Sequence, residues 1–333
     1  MKGIAILLLA SVVAVAADDP KPLERGKEVV FTERQGSLPF IPEAAIRFKV
    51  IEGEEPLATN ILSYAPFIRA VREYRELREC VGTRQQPIYL VFEPALERTA
   101  YCAEQPFLLN DPSAPKGQRG RLVTAPLIHV TGRYLEDMKK GHAVSVLCHE
   151  IGHAFMATTH GMFDYPSNSP EFLIDFLTEE GHWYEKETDP AFAYSEGWAE
   201  YTEYHYTGEA LPESLIKMKE EGGNVRALTA SEIRRREGAQ AYLLLALDRD
   251  PKVHDFYARA LEVMSDSRPQ STNGLLRAYV KRHPDEKEEI EKTLSEKSGG
   301  VFAIDYDYSR DDYWQDVSPN WQRFWDKVKE RLR

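Results

Sequence analysis

Apolar and polar residues alternate in the first third of the chain with the two-residue period of β-strands. Residues 46–50 show this alternation, and short apolar runs follow at 87–92 and 122–130. Pro126 lies inside the last run, and because proline cannot donate a backbone hydrogen bond, the pattern predicts a strand at the edge of a sheet. Between the first two runs, apolar residues recur every three or four positions over 61–80, which predicts a helix.

From residue 133 onward the apolar period becomes helical, with loops rich in Gly, Pro, Asp and Ser between the helices. The segment 318–332 starts with a Ser-Pro pair and has one apolar face, which predicts a terminal helix that packs on the body. Residues 18–43 are rich in proline and charge and predict an extended arm. The fold class is therefore α+β, with a small N-terminal α/β lobe (44–132) and a mainly helical lobe (133–333).

Residues 1–17 have the pattern of a secretory signal peptide, with a positive start, a short apolar core and small residues at the end. The uncharged run ends at Ala17, short of the roughly 20 residues that a membrane-spanning helix needs. We therefore expect cleavage near Ala16 or Ala17 and a secreted or periplasmic protein without a membrane span. The formal net charge of -12 argues against a nucleic-acid partner, because phosphate recognition needs a basic surface.

The chain contains three cysteines, Cys80, Cys102 and Cys148. Export to an oxidising compartment favours disulfides, and an odd number leaves one thiol over. We expect Cys80 and Cys102 to pair, and Cys148, which lies in an apolar helical run, to be a buried thiol. The alternative that all three are reduced stays open, because connectivity cannot be derived from sequence.

A His-Glu-x-x-His pattern at residues 149–153 lies inside an otherwise uncharged helical run. Positions four apart share one face of a helix, so His149 and His153 can reach a single metal ion while Glu150 projects towards its bound water. The apolar flanks bury this helix, and they predict a site of low dielectric in which the ion strongly polarises that water. A hydrolytic zinc site needs a third protein ligand and an open position for water.

Two residues compete for the role of third ligand. His160 lies two helical turns beyond His153 and could ligate only if the chain turned back at Gly161. The better candidate is Glu196, which begins the run Glu-Gly-Trp-Ala-Glu-Tyr.

This run resembles the Asn-Glu-Gly-Phe-Ala-x-Tyr segment of gluzincins, the zinc-peptidase clan that includes thermolysin-like enzymes and related aminopeptidases. Residues 189–194 and 236–243 also resemble the peptidase-MA-like branch of that clan. The resemblance implies a zincin-like fold, one Zn²⁺ per chain and Glu196 as its third protein ligand. It further implies that Glu200, one turn later, is the carboxylate that orients a zinc-bound histidine.

The chain departs from the family pattern at three points. The stretch between the histidines and Glu196 is longer than in the best-known members, and we expect an inserted helix at 170–177. The aminopeptidase signature Gly-x-Met-Glu-Asn is absent, so recognition of a free N-terminus does not carry over. No residue uniquely matches the family's transition-state tyrosine or histidine. Four residues stay open for donating a hydrogen bond to the oxyanion, each with a packed aromatic as its alternative: Tyr204, His205, Tyr206 and Tyr242.

These features together predict an exported zinc metallopeptidase in which Glu150 assists the attack of water on a peptide bond. One alternative is an exported zinc-containing binding or scaffold protein without turnover. Against it, a structural zinc is usually closed by four protein ligands and needs no Glu150. The other alternative is a zinc hydrolase of a non-peptide amide or ester. The expected partner is a peptide or protein substrate, while oligomeric state and internal or terminal cleavage stay open.

Overall fold

The computed structural model describes residues 20–35, 47–81, 86–95, 100–114, 116, 120–161, 185, 187–220, 223–305, 322, 325–326 and 329–330. These residues form a mixed α/β structure of two compact units, the first ending at Phe155 and the second beginning at Met156. The expected signal peptide (1–17), the inserted helix (170–177) and most of the terminal helix (318–332) lie outside the described residues. Among the described residues, no helix is both long and apolar enough to cross a membrane.

Five strands of the described chain close into a barrel in the first unit. Their bounds are β1 (Val29–Gln35), β2 (Arg47–Val50), β3 (Ile88–Glu93), β4 (Tyr101–Asn110) and β5 (Gly120–Thr131). They close in the order β1-β2-β4-β5-β3, with β1/β2 and β4/β5 antiparallel and the other neighbours parallel. Apolar side chains at alternate positions fill the barrel: Val30, Phe48, Tyr89, Val91, Phe107, Leu109, Val123, Ala125 and Leu127. The strands predicted over 46–50, 87–92 and 122–130 are confirmed as β2, β3 and β5.

Two predictions about this unit are wrong. The predicted arm over 18–43 contains β1, a barrel strand with Phe31 fully buried. Pro126 does not mark an edge strand, because β5 lies between β4 and β3. The proline is tolerated because β3 pairs with β5 only from Leu127 onward, so at Pro126 itself only β4 flanks the strand.

The helix predicted over 61–80 is divided into α1 (Leu57–Ser63) and α2 (Ala65–Cys80). Tyr64 separates them with an extended backbone, φ -72° and ψ 106°. A proline follows in the first turn of α2, where its missing N–H needs no partner. The three- to four-residue period was therefore correct, but it did not reveal the break.

The predicted Cys80–Cys102 disulfide is not formed in the described structure. Cys80 is the last residue of α2, whereas Cys102 lies on β4 opposite Ile128, and both carry thiols. The two cysteines therefore lie on different elements, α2 and β4, and no disulfide joins them. Cys148 is fully buried, as predicted.

The barrel leads into α3 (Gly132–Lys139) and α4 (Val146–His160). The first unit extends to Phe155, so its last residues belong to α4. The second unit is mainly helical, as predicted. Its elements are α5 (Pro190–Thr207), β6 (Lys217–Lys219), β7 (Val225–Ala227), α6 (Ala230–Arg234), α7 (Glu237–Asp248), α8 (Phe256–Ser267), α9 (Thr272–Arg282) and α10 (Lys287–Ser298).

Candidate metal centre

Helix α4 presents the two histidines of the motif on one face. Leu147, Ile151 and Phe155 are fully buried and fix the opposite side of the helix in the core. The rings of His149 and His153 follow each other by one helical turn, with centroids 5.0 Å apart and planes at 76°. The apolar flanks seen in the sequence therefore orient the helix, and this orientation brings both imidazoles together.

Helix α5 carries the predicted carboxylate ligand, and its start is set by local chemistry. The Oδ1 atom of Asp189 accepts the backbone N–H groups of Ala191 (2.9 Å) and Phe192 (3.0 Å), and Pro190 follows at the first helical position. The cap places Glu196 in the second turn, where it is only 6% exposed. A glycine at 208 with φ 74° ends the helix.

The predicted ligands meet in the structure. One ligand atom from each of His149, His153 and Glu196 lies within 4.8 Å of the other two. Two imidazole nitrogens and a carboxylate oxygen are a donor set that a catalytic zinc ion takes, and three protein ligands leave a position for water. Glu150, which lies between the histidines in sequence, is buried. The donor set therefore fits a metal ion.

A second group of donors adjoins His149. One ligand atom from each of His149, Glu200 and Glu203 lies within 4.8 Å of the others. Glu196, Glu200 and Glu203 follow the spacing i, i+4, i+7, so they share one face of α5. Sequence reasoning identified Glu200 and missed Glu203. The spacing of Glu203 seven residues after Glu196 on one helix was the sequence signal that could have identified Glu203.

His160, the rejected third ligand, is engaged elsewhere. Its Nε2 atom lies 2.8 Å from the carbonyl oxygen of Pro269, and its Nδ1 atom lies 3.1 Å from the carbonyl oxygen of Met156. The ring is fully buried. These bonds to the backbone agree with the choice of Glu196 over His160.

The structure places two of the four transition-state candidates in an aromatic cluster. His205 follows Glu196 by nine residues, which is two and a half helical turns, so it lies on the opposite face of α5. Its Nδ1 atom is 2.7 Å from Oδ2 of Asp248, and its ring stacks on Tyr257 with centroids 4.1 Å apart. Tyr206 is buried against the rings of both His205 and Tyr257. His205 is thus held by Asp248 and Tyr257, and Tyr206 has the packing of a core aromatic, while the oxyanion-donor role of either residue stays a prediction.

The other two candidates have different surroundings. Tyr204 follows Glu200 by one helical turn and stays a candidate hydrogen-bond donor on that side of α5. Tyr242 lies on α7, where burial raises the pKa of its phenol, the Glu213 carboxylate raises it further and Lys217 lowers it. The Tyr242 phenol is therefore protonated at neutral pH. The groups that act on it, Glu213 and Lys217, belong to one short segment of the chain.

Comparison of this chain with protein-family models, with curated proteins and with solved structures gives no match. The class of site therefore rests on the chain's own residues. Those residues form a His/Glu cluster that could hold a metal ion.

Proposed function

We propose that this protein is an exported zinc metallopeptidase with a zincin-like catalytic site. The observation that carries the proposal is the convergence of His149, His153 and Glu196, whose ligand atoms lie within 4.8 Å of one another. Imidazole and carboxylate donors suit zinc, and three protein ligands are typical of its catalytic sites. Buried Glu150 supplies the carboxylate that a purely structural site does not need. Export is proposed on the signal-peptide pattern of residues 1–17.

The proposed reaction divides the work among residues of α4 and α5. When bound, the zinc ion supplies a Lewis acid that acidifies a water molecule and polarises the scissile carbonyl. His149 and His153 would each hold the ion through one ring nitrogen, and Glu196 would hold it through a carboxylate oxygen. Glu150 accepts a proton from the attacking water and transfers it to the leaving amine. Glu200 accepts the remaining ring N–H of His149, which fixes the tautomer of that histidine.

Replacing Glu150 with glutamine tests the mechanism, because glutamine has nearly the same size but cannot accept the proton. We expect Glu150→Gln to bind zinc at close to one ion per chain, while cleavage of a broad peptide library falls by about 100-fold or more. Glu209→Gln, at an exposed position beyond the end of α5, is the matched control and should leave both readouts unchanged. Unchanged peptidase activity in Glu150→Gln would contradict the proposed role.

The same assay separates the alternatives. A zinc-containing scaffold protein would hold its metal in the wild-type form and cleave nothing. A hydrolase of another class would act on a parallel panel of simple amides and esters and leave the peptides intact. Peptide cleavage that zinc removal abolishes, and that Glu150→Gln also abolishes, supports the peptidase.

A further inference from the structure

A cavity of about 50 Å³ lies within the helical unit. A buried water needs about 10–15 Å³ by the same measure, so the cavity of about 50 Å³ has room for roughly three to five water-sized groups. That space matches the four oxygens of a tetrahedral oxyanion. The described residues that line it are Pro190, Arg234, Gln240, Ser271, Thr272, Asn273 and Arg277. Two of these residues are arginines, and none of them is acidic.

The two arginines bring positive charge to the cavity from different helices. Arg234, at the end of α6, is 6% exposed, and its Nε donates to Oδ1 of Asn273 at 3.1 Å, which holds the guanidinium at the wall. Arg277 lies on an exposed position of α9 and forms no ion pair with any residue of the described part of the chain. Two guanidinium groups at one cavity bring positive charge to its walls, which favours a bound anion.

The remaining walls supply one neutral donor, Ser271, and a set of hydrogen bonds that holds the walls in place. The Oγ atom of Ser271 accepts the N–H of Gly274 at 3.1 Å, so its own hydroxyl proton can be donated elsewhere. The hydroxyl of Thr272 donates to the side chain of Gln240, whose amide donates to the carbonyl of Arg234 at 2.7 Å. These bonds tie α7 and α9 together and keep the wall in place around the arginines.

We propose that this cavity binds a tetrahedral oxyanion, either inorganic phosphate or a phosphate group. Arg234 and Arg277 contact its oxygens from two sides, and the Ser271 hydroxyl donates to a third position. Guanidinium groups suit this ligand because their planar set of N–H donors matches pairs of phosphate oxygens. The formal net charge of the chain is -12, so this positive lining is a local feature and not a general property of the surface.

Calorimetric titration of the metal-stripped full-length mature protein with sodium phosphate, at constant ionic strength, tests the proposal. Removing the metal excludes phosphate bound to zinc, so the result is independent of the proposed peptidase site. We expect saturable binding of one phosphate per chain, weakened about 10-fold or more in Arg277→Gln. Lys281→Gln is the matched control, because it removes the same charge from α9 at a residue that does not line the cavity.

A second titration with phenyl phosphate distinguishes the two sources of the ligand. Binding of phenyl phosphate assigns the site to a phosphate group of a larger molecule, and binding of phosphate alone assigns it to the free ion. Lack of saturable binding, equal weakening by Arg277→Gln and Lys281→Gln, or equally tight binding of acetate would overturn the proposal. Circular dichroism of each variant keeps a folding defect separate from a loss of binding.

Discussion

Gly197 allows helices α5 and α7 to pack closely beside the candidate metal centre. A Cβ atom at this position would lie 2.9 Å from the backbone oxygen of Glu237 and 3.0 Å from Cβ of Gln240. Carbon atoms in good contact are about 3.5–4.0 Å apart. The oxygen of Glu237 belongs to the first turn of α7, so it can move only with that helix. Gly197→Ala should therefore force α5 and α7 apart.

The size of the effect is set by two opposed contributions. Alanine favours a helix interior over glycine by about 1 kcal/mol. Overpacking of a well-packed core costs about 1–3 kcal/mol, and contact with backbone places this site in the upper half of that range. We expect a net loss of about 1–2 kcal/mol in the free energy of unfolding. Zinc affinity should fall as well, because Glu196 precedes the glycine and moves with α5.

Urea denaturation of the mature protein measures this change in the free energy of unfolding. Gly120→Ala is the control, because nothing lies within 4 Å of a Cβ at Gly120, and we expect its stability to stay within about 0.5 kcal/mol of wild type. A Gly197→Ala protein that is as stable as wild type, with unchanged zinc affinity, would refute the packing argument.

Two further predictions concern an ion pair and the thiols. Hydrogen bonds from Arg226 lower the pKa of Glu232 to about 2, opposed by burial and helped by Thr229. A lowered carboxylate pKa contributes stability above the unfolded value of 4.5 that is lost as the pH falls towards 2. The deficit of Glu232→Gln in urea denaturation should therefore shrink between about pH 5 and about pH 3, and a constant deficit would contradict the assignment. Since Cys80 and Cys102 are thiols, dithiothreitol should leave the thermal midpoint unchanged, whereas a lower midpoint would reveal a disulfide.

The elements that the sequence predicted are those with a local apolar pattern. Strand β2 follows an alternating pattern, whereas β3 was predicted from a continuous apolar run and is buried along its whole length. β1 was not predicted because Glu33 and Arg34 end its apolar run. Its partner strands are also distant in sequence, since Glu33 pairs with Lys49 on one side and with Phe92 on the other. Such pairing stabilises a strand without leaving a signal in its own residues.

Sequence spacing predicted that His149 and His153 lie close together, but it did not predict the partners of His205. His149 and His153 lie one helical turn apart on a single helix, so their spacing fixes their common face. His205 adjoins Tyr204 and Tyr206 in sequence, but neighbours on a helix point about 100° apart. Its actual partners, Asp248 and Tyr257, come from α7 and α8. Their positions depend on helix packing, which no local pattern records.

The last prediction concerns Glu196 and Glu200, the two buried carboxylates of α5. Glu196 groups with both His149 and His153, whereas Glu200 groups with His149 and Glu203. A direct ligand must be close to both imidazole donors, while a carboxylate that orients one histidine needs only that histidine. The geometry thus favours Glu196 as ligand and Glu200 as the positioning residue.

We therefore expect Glu196→Ala to lose zinc and peptidase activity together. Glu200→Ala should weaken zinc affinity by about 10–100-fold without abolishing binding, because the three ligands remain but His149 is less firmly oriented. Competition with a chromogenic chelator measures both affinities, and Glu209→Ala, an exposed carboxylate beyond α5, controls for the loss of a negative charge. The reverse order, with Glu200→Ala losing the metal and Glu196→Ala retaining it, would place the ligand one helical turn later and exchange the two roles.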